Sequence, residues 1–357
     1  MSSYLKFKRH PAAFWGIVLA LAATISVVSL PVHAGSRSYL VTLIPTLGGP
    51  SNTVNGINAN GQVVGVSDLK LDPGRHHAFL LSTSGYLQDL GAIPGSYRST
   101  LSSAASAVND SGEVTGSAIS PTDGRLHAFL YDGGPLQDLG TLGGTGSGGY
   151  GINDSGLIAG GSEKADFTAH AFLVVDGVMK DLGTLGGHYS YATGVNASGA
   201  VTGESTLSDN TTQHSFIYSN RAMHDIGILP GGTISQAYAI NASDEVTGVA
   251  DDVSGQDHAF LYSNGVMTDL DPASGSSVGF AINSMGEVVG ASDSQAALFA
   301  GGTVYKLTKL LPPTDQQKYA LTYATGINDK GQITANGYLI QDPSTYRAFL
   351  LSPNRKQ

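Results

Sequence analysis

Short apolar runs, separated by turn-forming residues, recur along the chain from about residue 39 to its end. In the fifth copy they read QAYAIN, EVTGVA, HAFLY and VMTDL. Each run has four to six residues, is rich in β-branched and aromatic types, and is bounded by Gly, Asn, Ser or Asp. Runs this short read as strands rather than helices.

The set of four runs repeats. An anchor Asn stands at Asn58, Asn109, Asn153, Asn196, Asn241, Asn283 and Asn328, with gaps of 51, 44, 43, 45, 42 and 45 residues. A second anchor, Phe79, Phe129, Phe172, Phe216, Phe260, Phe299 and Phe349, counts seven copies in the same order. Two residues before each Asn stands Gly or Ala, and the next is always Ile or Val. Seven after it stands Gly in six copies and Ala335 in the last. Four strands in about 44 residues is the period of a propeller blade. The expected fold is therefore all-β: a seven-bladed β-propeller of four-stranded blades. A β-helical solenoid fits less well, because its repeats are usually shorter.

The termini suggest how the ring closes. SYLVTLIPTLGG, residues 38–49, matches the fourth strand and exit loop of other copies, as in VMKDLGTLGG. The chain ends on a third strand, RAFLLS, with no fourth strand after it. Pairing Tyr39–Ile44 with Ala348–Leu351 supplies the missing strand and removes two exposed edges. The strand ending in the anchor Asn is expected innermost, where small side chains suit a crowded axis.

Composition adds compartment and excludes partners. Residues 1–34 read as a cleaved signal helix: Lys6, Lys8 and Arg9 precede an apolar run from Ala12 to Leu30, and Val32-His33-Ala34 offers a cleavage site. The rival is an uncleaved membrane anchor, disfavoured by Thr24, Ser26, Ser29 and Pro31. The expected mature part is a propeller over 35–352 with a tail at 353–357. It keeps 15 basic and 28 acidic residues, a balance of −13, which disfavours nucleic acid and anionic lipid. There is no cysteine, so disulfides, Cys-ligated metals and Cys nucleophiles are excluded.

His-Ala-Phe occurs at residues 77–79, 127–129, 170–172 and 258–260, beside recurrent DLGTLGG and GIN segments. In this the chain resembles the HAF-repeat family of probable extracellular bacterial proteins, over about residues 39–352. The resemblance implies bacterial origin and a secreted or periplasmic location. It carries no catalytic residue. Three copies depart from the triplet: Ser215 follows His214, and Ala297 and Arg347 replace the His.

Candidate chemistry is sparse. The Asn-x-x-Gly centres could hold calcium through oxygen ligands, but their middle residues vary and include Met285. A type I turn followed by a left-handed Gly explains them better, and Asp244, the one exception at the Gly position, is a type that tolerates that region. The recurrent His77, His127, His170, His214 and His258 occupy equivalent positions on a circle and read as structural, each bonding a neighbouring loop. The TLGG segments open no helix, so a phosphate cradle is excluded and a link between blades is expected. No Gly-x-Ser-x-Gly elbow or metal cluster is seen, and no cofactor is expected.

Alternation of strand direction sends the irregular loops to one face and the tight turns to the other. Binding is expected on the loop face, with Tyr97, Arg98, His188, Tyr189, Tyr191, Asp251 and Asp252 as first candidates. The sequence reading is an exported, monomeric, non-catalytic binding or surface-interaction module with an unidentified extracellular or periplasmic ligand. The rival is an exported propeller hydrolase or lyase whose site lies at the axial channel mouth.

Overall fold

Period-two burial marks innermost strands such as Gly48–Ile57 and Ser103–Val108, whereas middle strands such as Ile158–Lys164 are buried on both faces. The computed structural model describes residues 37–70, 74–95 and 102–354. The expected signal segment, residues 1–34, lies outside them, as do Tyr97 and Arg98. The described chain is an all-β propeller. Its helical content is one 3-10 turn, Leu307–Leu310, and one short helix, Pro313–Gln316.

Each repeat folds as an antiparallel meander in chain order. In the first, Gly48–Ile57 pairs with Val63–Leu69, then His76–Leu81, then Leu87–Gly91. Hydrogen bonding groups the strands into six sheets, where seven independent four-stranded blades were expected. Five sheets are four-stranded, and the sixth has eight strands. The reason is local: a parallel bridge between Ala169 and Tyr189 joins the third repeat to the fourth.

The surplus N-terminal strand completes the last sheet. Tyr39–Leu43 pairs antiparallel with Asp342–Pro353, with Tyr39 opposite Pro353 and Leu43 opposite Phe349. The Ile44 N–H donates to the Ala348 carbonyl at 2.9 Å. The first and last segments therefore share one sheet, whose order is Tyr39–Leu43, Asp342–Pro353, Ile333–Leu339, Tyr319–Ile327. The last strand reaches Pro353, one residue into the expected tail.

The core is divided among the repeats. Seven clusters of buried apolar side chains each contain one anchor Phe. All seven Phe residues are buried, six of them completely. Burying each contributes about 1.5–3 kcal/mol. The Gly seven after the anchor Asn makes room for this packing. A Cβ on Gly160 would lie 2.5 Å from Phe172 Cζ and 2.0 Å from the Gly148 carbonyl oxygen.

Candidate functional site: two mouths of the ring

The tight turns form one mouth. The residue three after each anchor Asn lies in the left-handed region, as in Gly61 at φ +98° and Asp244 at +60°. The Asn itself does two jobs. Its Oδ1 accepts N–H bonds from its own loop: Asn153 Oδ1 accepts from Ser155 and Leu157, both at 3.0 Å. Its Nδ2 donates to the carbonyl of the equivalent Asn in the next repeat, so Asn58 reaches Asn109 and Asn109 reaches Asn153. The same bond joins Asn153 to Asn196, Asn196 to Asn241, Asn241 to Asn283, and Asn328 back to Asn58, at 2.9–3.1 Å. Asp has no Nδ2 donor, which is why the anchor is Asn rather than any turn-forming residue.

A second belt ties strand to neighbour. Six residues before the anchor, Ser147 Oγ accepts from the Ala128 N–H at 2.8 Å and donates to the Gly140 carbonyl at 2.5 Å. Ser103, Ser190 and Ser235 repeat both bonds. Asn52 does the same work across the closure, accepting from Ala348 N–H and donating to the Ile44 carbonyl.

Each recurrent histidine has a partner on the fourth strand where a loop partner was expected, and His127 also reaches Asp123 of a loop at 3.3 Å. His77, His127, His170, His214 and His258 each place Nδ1 2.7–2.8 Å from Asp89, Asp138, Asp181, Asp225 and Asp269 respectively, all on fourth strands. In the two copies without His the Asp is also missing: Val304 stands opposite Phe299, and Leu43 opposite Phe349. In Asp181 burial pushes the carboxyl up, but the Gly183 N–H, His170 and Lys164 outweigh it and the pKa is lowered. Asp89 and Asp138 are lowered against burial in the same way, the latter with the Ser120 hydroxyl as its strongest partner. In His258 burial pulls the pKa down, and the bond and charge of Asp269 more than reverse this.

Along the axis a cavity of about 220 Å3 is lined by inner-strand residues of every repeat, including Gly56, Gly151, Gly194 and Gly326. A Cβ on Gly151 would sit 3.0 Å from Gly194 Cα. Small residues at the axis were expected, and this spacing is the reason for them.

The irregular-loop face holds a cavity of about 460 Å3 between repeats two, three and four. Its existence follows from glycine. At the positions five before and eight after the anchor Asn, the third repeat has Gly148 and Gly161, while other repeats carry side chains such as Tyr191, Glu204, Gln236 and Tyr323. Into the space so left come Tyr150 and Tyr191. A Cβ on Gly161 would lie 2.3 Å from Tyr191 Cδ1, and one on Gly148 2.8 Å from Tyr150 Oη. Arg125, Thr145, Ser162 and Glu163 supply polar lining. Thr145 donates through Oγ1 to Glu163 Oε2 at 2.5 Å. Burial raises the Tyr191 hydroxyl pKa, and the neighbouring Tyr150, Glu163 and Glu204 raise it further. Glu204, opposite Tyr191 in the sheet, is itself pushed up by burial. From Tyr238 an aromatic chain continues through Phe280 and Tyr323 to Tyr346, with centroids 5.5, 6.2 and 6.4 Å apart.

Of the expected ligand residues, Tyr191 lies in this cavity. His188 and Tyr189 form an edge-on pair at 6.4 Å, with Tyr189 exposed. Asp251 is buried, with Oδ1 accepting from the Thr233 and Ile234 N–H groups at 2.7 Å and Oδ2 from the Thr233 hydroxyl at 2.6 Å. Asp252 accepts from Ser254 and Gln256 within its own turn. Both carboxylates thus fasten loops. Tyr150, Arg125 and Glu163 were not singled out by sequence, although the paired glycines that expose them are an irregularity visible on alignment of the repeats.

No family model matches the chain, and no curated protein matches it by sequence. Solved structures do match by shape. The β-propeller domain of the trilobed protease from Pyrococcus furiosus, described as having an open velcro topology, aligns at 7% identity and TM-score 0.54, covering 86% of this chain and 94% of that one. A puromycin hydrolase aligns at 12% identity and TM-score 0.52 over 82% of this chain and 51% of its own. TolB from Acinetobacter baumannii aligns at 12% identity and TM-score 0.48 over 84% of this chain; the chain spans 65% of that protein's length. At these identities the likeness is one of fold.

Proposed function

We propose that the protein is an exported, non-catalytic binding module of HAF-repeat type. Its ligand is taken on the irregular-loop face, in the cavity between Tyr150 and Tyr191. The observation that carries this reading is the loss of side chains at Gly148 and Gly161, which opens a polar and aromatic cavity in one repeat of an otherwise regular ring. Local variation on a rigid scaffold is how repeat folds acquire a binding site. We count the eight-stranded sheet as two blades, which makes seven, because one bridged pair joins its halves and each half has its own Phe cluster.

A hydrolase of the Ser-His-Asp type would need a nucleophile at the Nε2 of one of the Asp-held histidines. Among the described residues, the partner found there is Asp123 on His127, at 3.3 Å. Export and a periplasmic or extracellular setting follow from the N-terminal sequence, and a monomer from the paired edges of the last sheet.

The reading is tested by co-sedimenting the purified mature protein with extracellular and cell-envelope material from the producing bacterium. Retention is expected, and Thr145→Trp, which fills the cavity from an exposed position, is expected to abolish it while the unfolding midpoint shows the fold intact. Equal retention of a folded Thr145→Trp protein, or turnover of the bound material, would overturn the proposal.

A further inference from the structure

We infer that the ligand of the Tyr150–Tyr191 cavity is a neutral oligosaccharide; this rests on the binding-module reading above. Three features of the cavity select that chemistry. First, its charges are balanced: Arg125 brings one guanidinium and Glu163 one carboxylate. An anion site would gather cations, and a site for a polycation would gather acids. Here both signs stand at one rim, matching a ligand that offers donors and acceptors without net charge.

Second, its apolar lining includes two aromatic rings, Tyr150 and Tyr191, beside Ile119, Leu126 and Ala169. Tyr191 is half-buried, with one side of its ring packed on the Gly161 backbone, and Tyr150 is exposed. The negative face of an aromatic ring attracts the polarised C–H bonds on one side of a sugar ring, and stacking on it excludes water from a flat amphipathic surface. The hydroxyls of Thr145 and Tyr191 and the Arg125 fork then address the sugar's hydroxyls around that surface.

Third, the aromatic character does not stop at the cavity. Tyr150 also lines the axial cavity, together with Tyr238 and Phe280. From Tyr238 the chain of rings runs on through Phe280 and Tyr323. Successive rings leading away from the cavity suit a ligand of repeated rings better than a single small molecule. A lipid would want an apolar channel, whereas this lining is rich in hydroxyls and backbone. A nucleic acid is disfavoured by the net charge of −10.

The test is titration of the purified mature protein with neutral cello-, xylo-, malto- and N-acetylchito-oligosaccharides, followed by calorimetry and by tyrosine fluorescence. At least one series is expected to bind, with affinity rising with chain length. Tyr191→Ala is expected to weaken it about tenfold or more, and Arg125→Ala by a smaller factor. Binding should be insensitive to salt, because no net charge is neutralised. The inference is overturned if no neutral series binds, if only charged glycans bind in a salt-dependent way, or if a folded Tyr191→Ala variant binds unchanged. Loss of envelope retention in Thr145→Trp without any saccharide binding would sink the saccharide and leave the binding module standing.

Discussion

The Nδ2 of Asn328 donates to the carbonyl oxygen of Asn58 at 3.0 Å, joining the last repeat to the first across 270 residues of chain. The same bond runs between successive repeats from Asn58 to Asn283. The turn motif is thus also the seam between repeats.

Asn153→Asp separates these two jobs. The carboxylate still accepts the Ser155 and Leu157 N–H bonds, so the turn survives. The donor to Asn196 is lost, and a charge replaces it at a buried carbonyl. Urea unfolding is expected to show destabilisation of about 1–3 kcal/mol. An unchanged midpoint would mean that the belt contributes nothing to holding the repeats together.

Ring closure rests on Tyr39 as well as on backbone pairing. Its side chain is buried in the cluster that holds Leu298, Leu321 and Phe349. Tyr39→Ala is expected to cost about 3–5 kcal/mol, as large aromatic truncations do. Removal of residues 1–45 should expose the edge of Asp342–Pro353 and produce aggregation or loss of a single cooperative transition, seen by light scattering and calorimetry.

The His–Asp pairs set a pH window. His258 has a raised pKa, so its contribution to stability is complete below its unfolded value and is lost as the pH rises through the folded value. The lowered Asp89, Asp138 and Asp181 contribute above their unfolded values and lose this as the pH falls through the folded ones. Urea midpoints are therefore expected to be highest between about pH 4 and 6.5, the unfolded values of the two types. His258→Asn should flatten the upper limb and Asp181→Asn the lower one. A profile unaltered by either substitution would show that the pairs are not linked to folding.

Crowding at the axis is tested by Gly151→Val against Gly134→Ala. The first forces a side chain toward Gly194 Cα, 3.0 Å from where its Cβ must sit, and should cost about 1–3 kcal/mol by thermal unfolding. The second adds a Cβ at a surface turn with only the Asp132 carboxylate oxygen within 4 Å and should stay within about 0.5 kcal/mol.

Much of the architecture was legible because it is periodic. Strand length, the left-handed position after each Asn and the strand the N-terminus supplies to the last sheet all follow from local pattern and phase. Their physics is short-range: pleat, turn dihedrals and the cost of an open edge. Asp244 at φ +60° behaves as its residue type allows.

What only the tertiary structure decided lies between repeats. Sequence could not show that the anchor Asn donates to its neighbour, that each His faces an Asp on the fourth strand, or that one bridge merges two repeats into an eight-stranded sheet. These depend on how close adjacent sheets come, which no single repeat determines. The cavity is of the same kind. Gly148 and Gly161 are only two missing side chains until repeat four places Tyr191 over one of them, and a loop residue such as Asp251 looks free until the fold points it at the Thr233 and Ile234 N–H groups. Repetition fixed the scaffold locally, and the candidate site arises where the scaffold departs from its own repeat and neighbouring units fill the space.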